Sequence, residues 1–419
     1  MDVAIIGAGP AGCRAAQLLA ARGARVTVFD PSHPREKACG GGVTGRALAL
    51  VADAVRQADV PVTVIRTVRF TDSRRGDSAI VPLEDHGPTA ASALLVASRA
   101  TFDQALLSAA VRAGAILQPA GVTRIDMEAE GVRLTTTQGR HRADFVIGAD
   151  GANSLLRRTV AQPFRRDQLS IATGFFAHGV TSDEIVIEIT ADPPGYIWSF
   201  PRPDHLAIGL CAQADAGVTT GALRARAAEW IRATRIAGTA PLTPYSWPIP
   251  SLRASDLHAL DVAGPRWLLL GDAAGLVDPI TREGIYFALA SGEWAADALG
   301  GNAPDRTFAA RVRDEAIPEL ARAARLKAIL PSGVYRSHAL GAPAEPGRRR
   351  SDGGPRGRTP ELRGAQMAAA AHAGIRPGLA GSSGATAGRA PRTLVVQSRR
   401  FRRLHFPWGH DHVWFTRTA

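Results

Sequence analysis

Three glycines and an aspartate near the amino terminus have the spacing of a dinucleotide-binding turn. Gly7, Gly9 and Gly12 form the pattern Gly-x-Gly-x-x-Gly, and Asp30 follows 18 residues later. In such a turn the first glycine permits the tight bend, the second lets backbone approach a pyrophosphate, and the third allows close helix packing. An acidic side chain at the later position accepts hydrogen bonds from ribose hydroxyls. We therefore predict that this segment, including Ala11, binds the ADP half of a dinucleotide.

The surrounding sequence supplies the elements that this turn requires. An apolar run at residues 3–6 predicts a buried strand before the turn, residues 11–22 have a helical pattern, and residues 25–29 predict a second strand. A helix that begins at the turn directs its free N–H groups and its positive dipole end toward phosphate. This strand–helix–strand context separates a binding fingerprint from an ordinary glycine-rich loop.

Two further strand ends carry an aspartate beside a glycine. Asp150-Gly151 follows the apolar residues 145–148, and Gly271-Asp272 ends a second apolar run at 267–270. Helical periodicity over residues 101–113 lies between the first and second motifs, with Arg99 just ahead of it, and a second helix is predicted over 283–299. Each Asp-Gly pair alone is common and usually structural, so their meaning depends on their order along the chain.

The remaining pattern predicts a second, sheet-based unit inserted into the first. Alternating residues at 121–137 and 171–212 favour strands, and the apolar runs at 145–148 and 267–270 favour a return to the first sheet. We predict a mixed α/β (α+β) architecture: a Rossmann-like cofactor domain from residues 1–60, 95–160 and 262–300, with an inserted antiparallel-sheet substrate domain from residues 60–95 and 165–260.

The last 89 residues differ in composition from the body at 1–330. Residues 331–419 hold 15 arginines, no lysine and four acids, which gives +11 of the chain's net charge of +12, together with 13 Gly and 8 Pro. Because the body is nearly neutral, the overall charge does not indicate nucleic-acid binding. The composition favours a poorly ordered basic tail. A poorly patterned third domain and a translated frameshift stay open as interpretations.

Other features of composition indicate a reducing cytoplasmic setting. Cys13, Cys39 and Cys211 are too few and too scattered for a disulfide framework, and no metal site is predicted. The first six residues have the pattern of a strand and lack the basic segment of a signal peptide. No run of 18 apolar residues predicts a membrane-spanning helix.

The three motifs, in this order and spacing, resemble the signature of FAD-dependent reductases and hydroxylases with the para-hydroxybenzoate hydroxylase fold. The resemblance implies that Asp272 contacts the ribityl and pyrophosphate region of FAD and that Asp150 anchors the loop near the dinucleotide. Arg99 matches the position at which this superfamily places an arginine that binds phosphate or the ribityl chain, a task for which the guanidinium fork is suited.

Within that superfamily, three stretches resemble the geranylgeranyl reductase family, and together the resemblance covers about residues 1–330. They are Cys39-Gly40-Gly41-Gly42, the strand Tyr196-x-Trp198-x-Phe200-Pro201 with Gly209 downstream, and Gly271-Asp272 through Asp278-Pro279-Ile280-Thr281 to Glu283-Gly284-Ile285.

The family resemblance implies further contacts with FAD. Cys39, Gly40 and Gly42 would lie against the flavin ring, where small residues admit the substrate, and the backbone of Val122 would border the adenine. Gly284 and Ile285 would present N–H groups to the pyrimidine edge of the flavin. Cys39 is a candidate proton donor or a group beside the alkene, and a small packing residue is an equal alternative. Tyr196, Trp198 and Phe200 are candidate walls of an apolar substrate tunnel. Plain sheet core is an equal alternative for these three aromatics.

The resemblance implies an oxidoreductase that saturates C=C bonds of a prenyl chain by hydride transfer from reduced FAD. NAD(P)H or a reduced electron-transfer protein would supply electrons transiently, because only one dinucleotide fingerprint is present. A hydrophobic isoprenoid substrate implies visits to a membrane surface. An FAD-dependent aromatic monooxygenase and a decayed, non-catalytic FAD-binding protein stay open. Halogenation is disfavoured, since neither lysine of the chain is placed for the halogenase role.

The chain departs from the family at Arg282, where glycine is usual between the Thr and the Glu. If this position needs a positive φ, arginine strains the backbone. The alternative is that its side chain reaches the flavin or an acidic group of the substrate.

Overall fold

The predicted strand–helix–strand opening is present at the amino terminus, where β1 (Asp2–Ile6), α1 (Pro10–Ala21) and β2 (Arg25–Phe29) follow one another. The computed structural model describes residues 1–72, 77–83 and 94–329, and the backbone of a short strand at 414–417. The predicted tail at 331–419, apart from that strand, lies outside the described residues.

A six-stranded sheet forms the centre of the cofactor domain. Its neighbouring strands run parallel except at one edge, where β18 is antiparallel to β19. In spatial order the strands are β18 (Ala263–Gly264), β19 (Trp267–Leu269), β12 (Phe145–Gly148), β1, β2 and β8 (Ile116–Gln118). The carboxyl ends of β1, β12 and β19 therefore meet at one edge, and the three predicted motifs follow these strands directly.

An eight-stranded sheet forms the second unit. Its pairs are antiparallel except for β5 and β14, which run parallel. In spatial order the strands are β17 (Leu242–Pro250), β13 (Leu169–His178), β16 (His205–Gln213), β15 (Pro194–Pro201), β14 (Glu184–Ala191), β5 (Thr67–Asp72), β6 (Asp77–Pro82) and β20 (Trp414–Arg417). The predicted fold class, a Rossmann-like domain with a sheet insertion, is confirmed.

Two small sheets complete the strand structure. The strands β9 (Val122–Glu128), β10 (Gly131–Thr136) and β11 (Gly139–Ala143) form an antiparallel meander. Between the large sheets, β3 (Gly42–Thr44) and β4 (Val62–Val64) both pair with β7 (Leu94–Ala97). This last sheet joins the Cys-Gly-Gly-Gly loop to the chain that enters α3.

Ten α-helices surround these sheets within the described part of the chain. Besides α1 they are α2 (Gly45–Gln57), α3 (Arg99–Arg112), α4 (Leu155–Val160), α5 (Thr220–Thr234), α6 (Ala254–His258), α7 (Gly271–Ala274), α8 (Ile285–Ala298), α9 (Pro304–Arg311) and α10 (Ile317–Ile329). A 3-10 turn lies at Arg166–Gln168, and a π-helical turn at Val312–Ala316 joins α9 to α10. None of these helices is both long enough and apolar enough to cross a bilayer.

Helices α1 and α8 pack with their backbones almost in contact. A Cβ atom built at Gly292 of α8 would lie 2.8 Å from the carbonyl oxygen of Ala11 and 3.0 Å from the amide nitrogen of Ala15. Only glycine permits this approach without a shift of either helix. The glycine turn before α1 and the loop before α8 are therefore held together, although about 280 residues separate them in sequence.

Candidate active site

The glycines of the first motif have two different roles in the structure. Gly7 has φ +103°, and a Cβ there would lie 2.4 Å from the carbonyl oxygen of Ala149, while a Cβ at Gly12 would lie 2.0 Å from the oxygen of Gly7. At Gly9 the nearest atom to a built Cβ is the His33 Nε2, at 3.9 Å. The fold therefore requires glycine at the first and third positions, whereas the second leaves space for a ligand.

The carboxylate of Asp30, at the end of β2, is held by the turn itself. It accepts hydrogen bonds from the N–H groups of Ala8 at 3.0 Å and Ser32 at 2.9 Å, and lies 2.6 Å from the His33 Nδ1. Burial favours the protonated form, but the bonds from His33 and the backbone outweigh it and hold the pKa of Asp30 well below its usual range. Asp30 is therefore an anion that can accept bonds from ribose hydroxyls.

A chain of buried charges continues from Asp30 to Arg99. His33 lies between Asp30 and Asp103, with its Nε2 3.5 Å from Asp103 Oδ2, and Arg99 donates two hydrogen bonds to Asp103 at 2.9 and 2.8 Å. Burial lowers the pKa of His33, but the bonds to Asp103 and Asp30 outweigh this effect and raise it. Two acids and two bases thus balance one another in the interior. Arg99 is itself buried and does not face solvent.

A cleft of about 290 Å³ lies along the carboxyl ends of the central strands. Eight of the predicted cofactor residues line it: Gly7, Gly9, Ala11, Asp30, Arg99, Val122, Asp150 and Asp272. The other six do not line this cleft: Gly12, Cys39, Gly40, Gly42, Gly284 and Ile285. Gly12 lies under the turn, and Gly284 packs on Asp272, whose Oδ1 would be 3.2 Å from a Cβ at 284.

The lining of the cleft has polar atoms that fit a ligand with several hydroxyl groups. The Asp150 Oδ1 and the Trp247 Nε1 are buried without a hydrogen-bond partner among the described residues. The other oxygen of Asp150 accepts from the N–H of Leu155 at 2.7 Å, and burial raises the pKa of this carboxyl. Lys37 pairs with Asp272 at 3.2 Å across the cleft. The glycine turn, the buried acids and the unpaired Trp247 donor together form a lining that fits FAD.

The Cys-Gly-Gly-Gly loop is held by Arg202, a fully buried side chain. The guanidinium donates to the carbonyl oxygen of Cys39 at 2.7 Å, to that of Gly40 at 3.4 Å, and pairs with Glu36. Glu36 in turn accepts from the N–H of Arg99 at 3.1 Å. The loop is therefore fixed by charge-assisted hydrogen bonds from a residue that directly follows β15 of the eight-stranded sheet.

One face of the eight-stranded sheet is an aromatic surface that turns toward the cofactor domain. The strand register aligns its residues in three rows across β15, β16, β13 and β17. These rows are Tyr196–Cys211–Ala172–Trp247, Trp198–Gly209–Gly174–Tyr245 and Phe200–Ala207–Phe176–Thr243. In the first two rows large rings thus flank small residues, whereas Phe176 stands in the middle of the third row. The opposite face packs on α5.

The aromatic face touches the cofactor domain at three places. Trp247 lines the cleft, and the Tyr196 hydroxyl donates to the carbonyl oxygen of Thr281 at 2.7 Å. Phe200 packs on the Cys-Gly-Gly-Gly loop, since a Cβ at Gly40 would lie 2.8 Å from its ring. This ring explains the glycines at 40 and 42, while Gly41 is required by its φ of +86° and by the carbonyl oxygen of Ala97. The predicted wall residues Tyr196, Trp198 and Phe200 share one surface next to the cleft.

Sequence reasoning missed His33, Lys37, Arg202, Tyr245 and Trp247. His33 and Lys37 follow the second strand in a segment without a regular pattern, and Trp247 and Tyr245 lie on a strand interrupted by three prolines, Pro244, Pro248 and Pro250. The position of Arg202 directly after the Phe-Pro pair was the one available signal. Arg282 has φ +62°, so its backbone lies in the left-handed region, the condition under which arginine is expected to strain this position.

Comparison with known proteins agrees with this geometry. Residues 1–290 match the family described as FAD binding domain. A menaquinone reductase from Mycolicibacterium smegmatis is 30% identical over 322 residues, with 71% of this chain and 76% of that protein covered. A geranylgeranyl diphosphate reductase from Rhodobacter capsulatus is 29% identical over 317 residues, with 71% and 74% covered.

Solved structures share the fold. A geranylgeranyl bacteriochlorophyll reductase-like protein from Thermoplasma acidophilum superposes with a TM-score of 0.66 at 21% identity, over 80% of this chain and 90% of that one. The halogenase PltM superposes with a TM-score of 0.63 at 17% identity, over 78% and 75% of the two chains. The three predicted motifs, the cleft that they line and these relatives agree: the chain belongs to the geranylgeranyl reductase family of FAD-dependent oxidoreductases.

Proposed function

We propose that this FAD-dependent oxidoreductase saturates C=C bonds in the prenyl chain of a hydrophobic substrate. The observation that carries the proposal is the aromatic face, which begins at Trp247 on the wall of the cofactor cleft and extends across four strands to Tyr196. Its central residues, among them Cys211, Ala172 and Trp198, are buried in one apolar cluster, against which Tyr196, Phe200 and Trp247 pack partly buried. Such a surface suits a flexible hydrocarbon chain and offers few polar groups to any other ligand.

The residues of the chain have separable roles in this proposal. FAD, when bound, supplies hydride to one carbon of the alkene. The glycine turn and Asp30 would hold the ADP half of FAD, and Lys37 and Asp272, which pair in the same cleft, would contact the ribityl region. The aromatic face positions the alkene, which matters because an unactivated double bond reacts only in close and aligned approach.

Cys39 is the proposed proton donor to the second carbon. Its loop packs on Phe200, its thiol is partly exposed, and its sulfur accepts a hydrogen bond from the N–H of Gly41 at 3.3 Å. Cys39→Ala should slow substrate reduction and leave FAD content unchanged, and Cys39→Ser should retain part of the rate. Cys13→Ala, which removes a buried thiol from the core, is the matched control. Equal rates for Cys39→Ala and the native protein would assign the proton to another group.

The reductase function is tested with the purified FAD-loaded protein under anaerobic conditions. Dithionite should bleach the flavin absorbance, and geranylgeranyl diphosphate should restore it with formation of a product heavier by two hydrogens per bond. Reduced flavin that prenyl compounds do not reoxidise would contradict the proposal. Oxygen consumption coupled to an aromatic substrate would favour the monooxygenase instead. A chain that takes up no FAD would favour a decayed protein.

The electron donor and the membrane contact are further parts of the proposal. A single dinucleotide turn favours NAD(P)H or an electron-transfer protein that docks only transiently. A long prenyl chain partitions into lipid, so the protein is expected to visit a bilayer surface to collect it. Co-sedimentation with liposomes that contain a prenyl lipid, compared with liposomes that lack it, measures this contact.

A further inference from the structure

The turn between β15 and β16 contains a buried histidine that contacts Arg202, the residue that holds the Cys-Gly-Gly-Gly loop. His205 begins β16 and is 4% exposed, and Arg202, which directly follows β15, is fully buried. The backbone N–H of Arg202 donates to the carbonyl oxygen of His205 at 2.8 Å, which closes the turn. The two side chains also meet, since the Arg202 Nη1 lies 3.1 Å from the His205 Nε2.

The protonation state of His205 follows from its two partners. A guanidinium can only donate hydrogen bonds, so the Nε2 that faces Arg202 must present a lone pair. The ring proton therefore belongs to Nδ1, which donates to the Asp204 Oδ1 at 2.7 Å. His205 is thus a neutral imidazole that accepts a hydrogen bond from Arg202.

The guanidinium of Arg202 uses all three of its nitrogens. Its Nη2 donates to the carbonyl oxygen of Cys39 at 2.7 Å and its Nε to that of Gly40 at 3.4 Å, while Nη1 contacts both Glu36 and His205. A proton on the His205 Nε2 would point an N–H at another N–H. It would also add a second positive charge beside a buried cation. The bonds to the loop are therefore complete only while His205 is neutral.

The charged groups around His205 favour its neutral form. Burial and the positive charge of Arg202 lower the pKa of His205, and they outweigh the opposing effects of Asp204 and Glu36. Asp204 compensates little, because its side chain is 75% exposed to solvent. On β13, the exposed ring of His178 lies 5.2 Å from that of His205, measured between the ring centroids.

We propose that His205 is a positioning residue for the reaction: its neutral ring orients Arg202, and Arg202 in turn holds the loop that carries Cys39. This rests on the proposed function, in which Cys39 gives the proton. Protonation of the ring withdraws the acceptor from Arg202 and loosens the Cys-Gly-Gly-Gly loop.

Acid should therefore release the loop. The pKa of His205 in the folded protein lies below the value of about 6.5 in an unfolded chain. The contribution of the neutral ring is thus complete above about pH 6.5 and is lost as the pH falls through the lowered pKa. The raised pKa of His33 acts on the other side of about pH 6.5, so the two histidines are separable by pH.

The test measures hydrogen–deuterium exchange of the oxidised FAD-loaded protein by mass spectrometry, in the peptide that contains the loop and β3. Rates at about pH 7.5 and about pH 5 are each referred to those of the unfolded chain at the same pH. In the native protein we expect protection of this peptide to fall roughly tenfold in acid, the effect of one lost charge-assisted hydrogen bond. Unchanged protection of the β9–β11 meander shows that the fold is intact.

Matched variants separate the charge of the ring from its packing. His205→Gln supplies an uncharged acceptor, so the loop should stay protected at both pH values. His205→Leu removes the acceptor, so protection should be low at both. His178→Gln removes the neighbouring exposed histidine and should reproduce the native profile. Flavin reoxidation by geranylgeranyl diphosphate should slow more in acid in the native protein than in His205→Gln, in kcat and not in KM.

Equal protection of the native loop at both pH values would overturn the inference. So would a His205→Gln variant that loses protection in acid as the native protein does, or a His205→Leu variant whose loop is as protected as the native one near neutral pH. The same pH profile of reoxidation in the native protein and His205→Gln would reduce His205 to a structural role and also overturn it. The expected exchange pattern without any reoxidation by prenyl compounds would support the hold of His205 on the loop and contradict the reductase function.

Discussion

Trp198 and Gly209 face each other across β15 and β16, and the indole ring occupies the space in which a side chain at 209 would begin. A Cβ at Gly209 would lie 2.4 Å from the Trp198 Cζ2 and 2.6 Å from the Tyr245 hydroxyl. The Trp198 ring and the Tyr245 hydroxyl therefore lie directly over Gly209, one of the small residues of the aromatic face.

The first prediction concerns this contact. Gly209→Ala should push Trp198 and Tyr245 off the sheet and reduce the free energy of unfolding by about 1–3 kcal/mol, as expected for overpacking. Near-ultraviolet circular dichroism should report the displaced indole, and prenyl-dependent reoxidation of flavin should slow. Gly221→Ala in α5 is the control, because a Cβ there has only the Thr219 hydroxyl within 4 Å, at 3.9 Å. An unchanged aromatic spectrum in Gly209→Ala would contradict the prediction.

The second prediction separates the glycines of the first turn. Gly9→Ala should fold normally, with stability within about 0.5 kcal/mol of the native protein. It should nonetheless lower FAD affinity by roughly tenfold or more, about 1.4 kcal/mol. Gly12→Ala should instead destabilise the apoprotein by more than about 3 kcal/mol, since its Cβ overlaps the carbonyl oxygen of Gly7. FAD titration and apoprotein melting distinguish the two, and equal effects on both quantities would count against separate roles.

The third prediction is a pH dependence that originates at His33. Its pKa in the folded protein is raised, because the bonds to Asp103 and Asp30 outweigh burial. Protonated His33 therefore makes its full contribution to the free energy of unfolding below about pH 6.5, the ordinary pKa of histidine. This contribution is lost as the pH rises through the raised pKa that His33 has in the folded protein. Melting temperature should fall over this range in the native protein, and His33→Gln should flatten the fall. His258→Gln, at an exposed position, should reproduce the native profile.

The fourth prediction concerns strain at Arg282. Glycine relieves the left-handed backbone, a gain of about 1–2 kcal/mol that the entropy of glycine reduces by about 0.5–1 kcal/mol. Arg235→Gly should show only this small net effect. The free energy of unfolding should rise more in Arg282→Gly, because this change also removes a guanidinium with unpaired buried donors. Chemical denaturation of both variants measures the difference, and an Arg282→Gly variant no more stable than Arg235→Gly would refute this account.

Much of the architecture could be predicted because its signals are local. Each of these signals lies within a few residues of sequence: the apolar run before Gly7, the helical period after it, Asp150-Gly151 after β12 and Gly271-Asp272 after β19. Arg202 and Trp247 could not be found in this way, because their partners lie on other strands. Arg202 contacts a loop about 160 residues earlier, and only the register of β13, β16 and β17 places Trp247 in the row with Tyr196.

The same limit explains the Cys-Gly-Gly-Gly loop. Family resemblance placed its small residues against the flavin ring, whereas the structure places Phe200 directly on Gly40 and Gly42. A run of glycines indicates that another group approaches the backbone closely, but the sequence does not identify that group. The approaching group here includes a side chain from the other domain.

The close packing of α8 on α1 has a consequence for the order of events during synthesis. A nascent chain that has emerged only as far as β17 already contains the glycine turn, Asp30 and the aromatic strands, yet it lacks Asp272 and the helix that clamps α1 through Gly292. Cofactor capture is therefore a late step, which follows the release of about 300 residues from the ribosome.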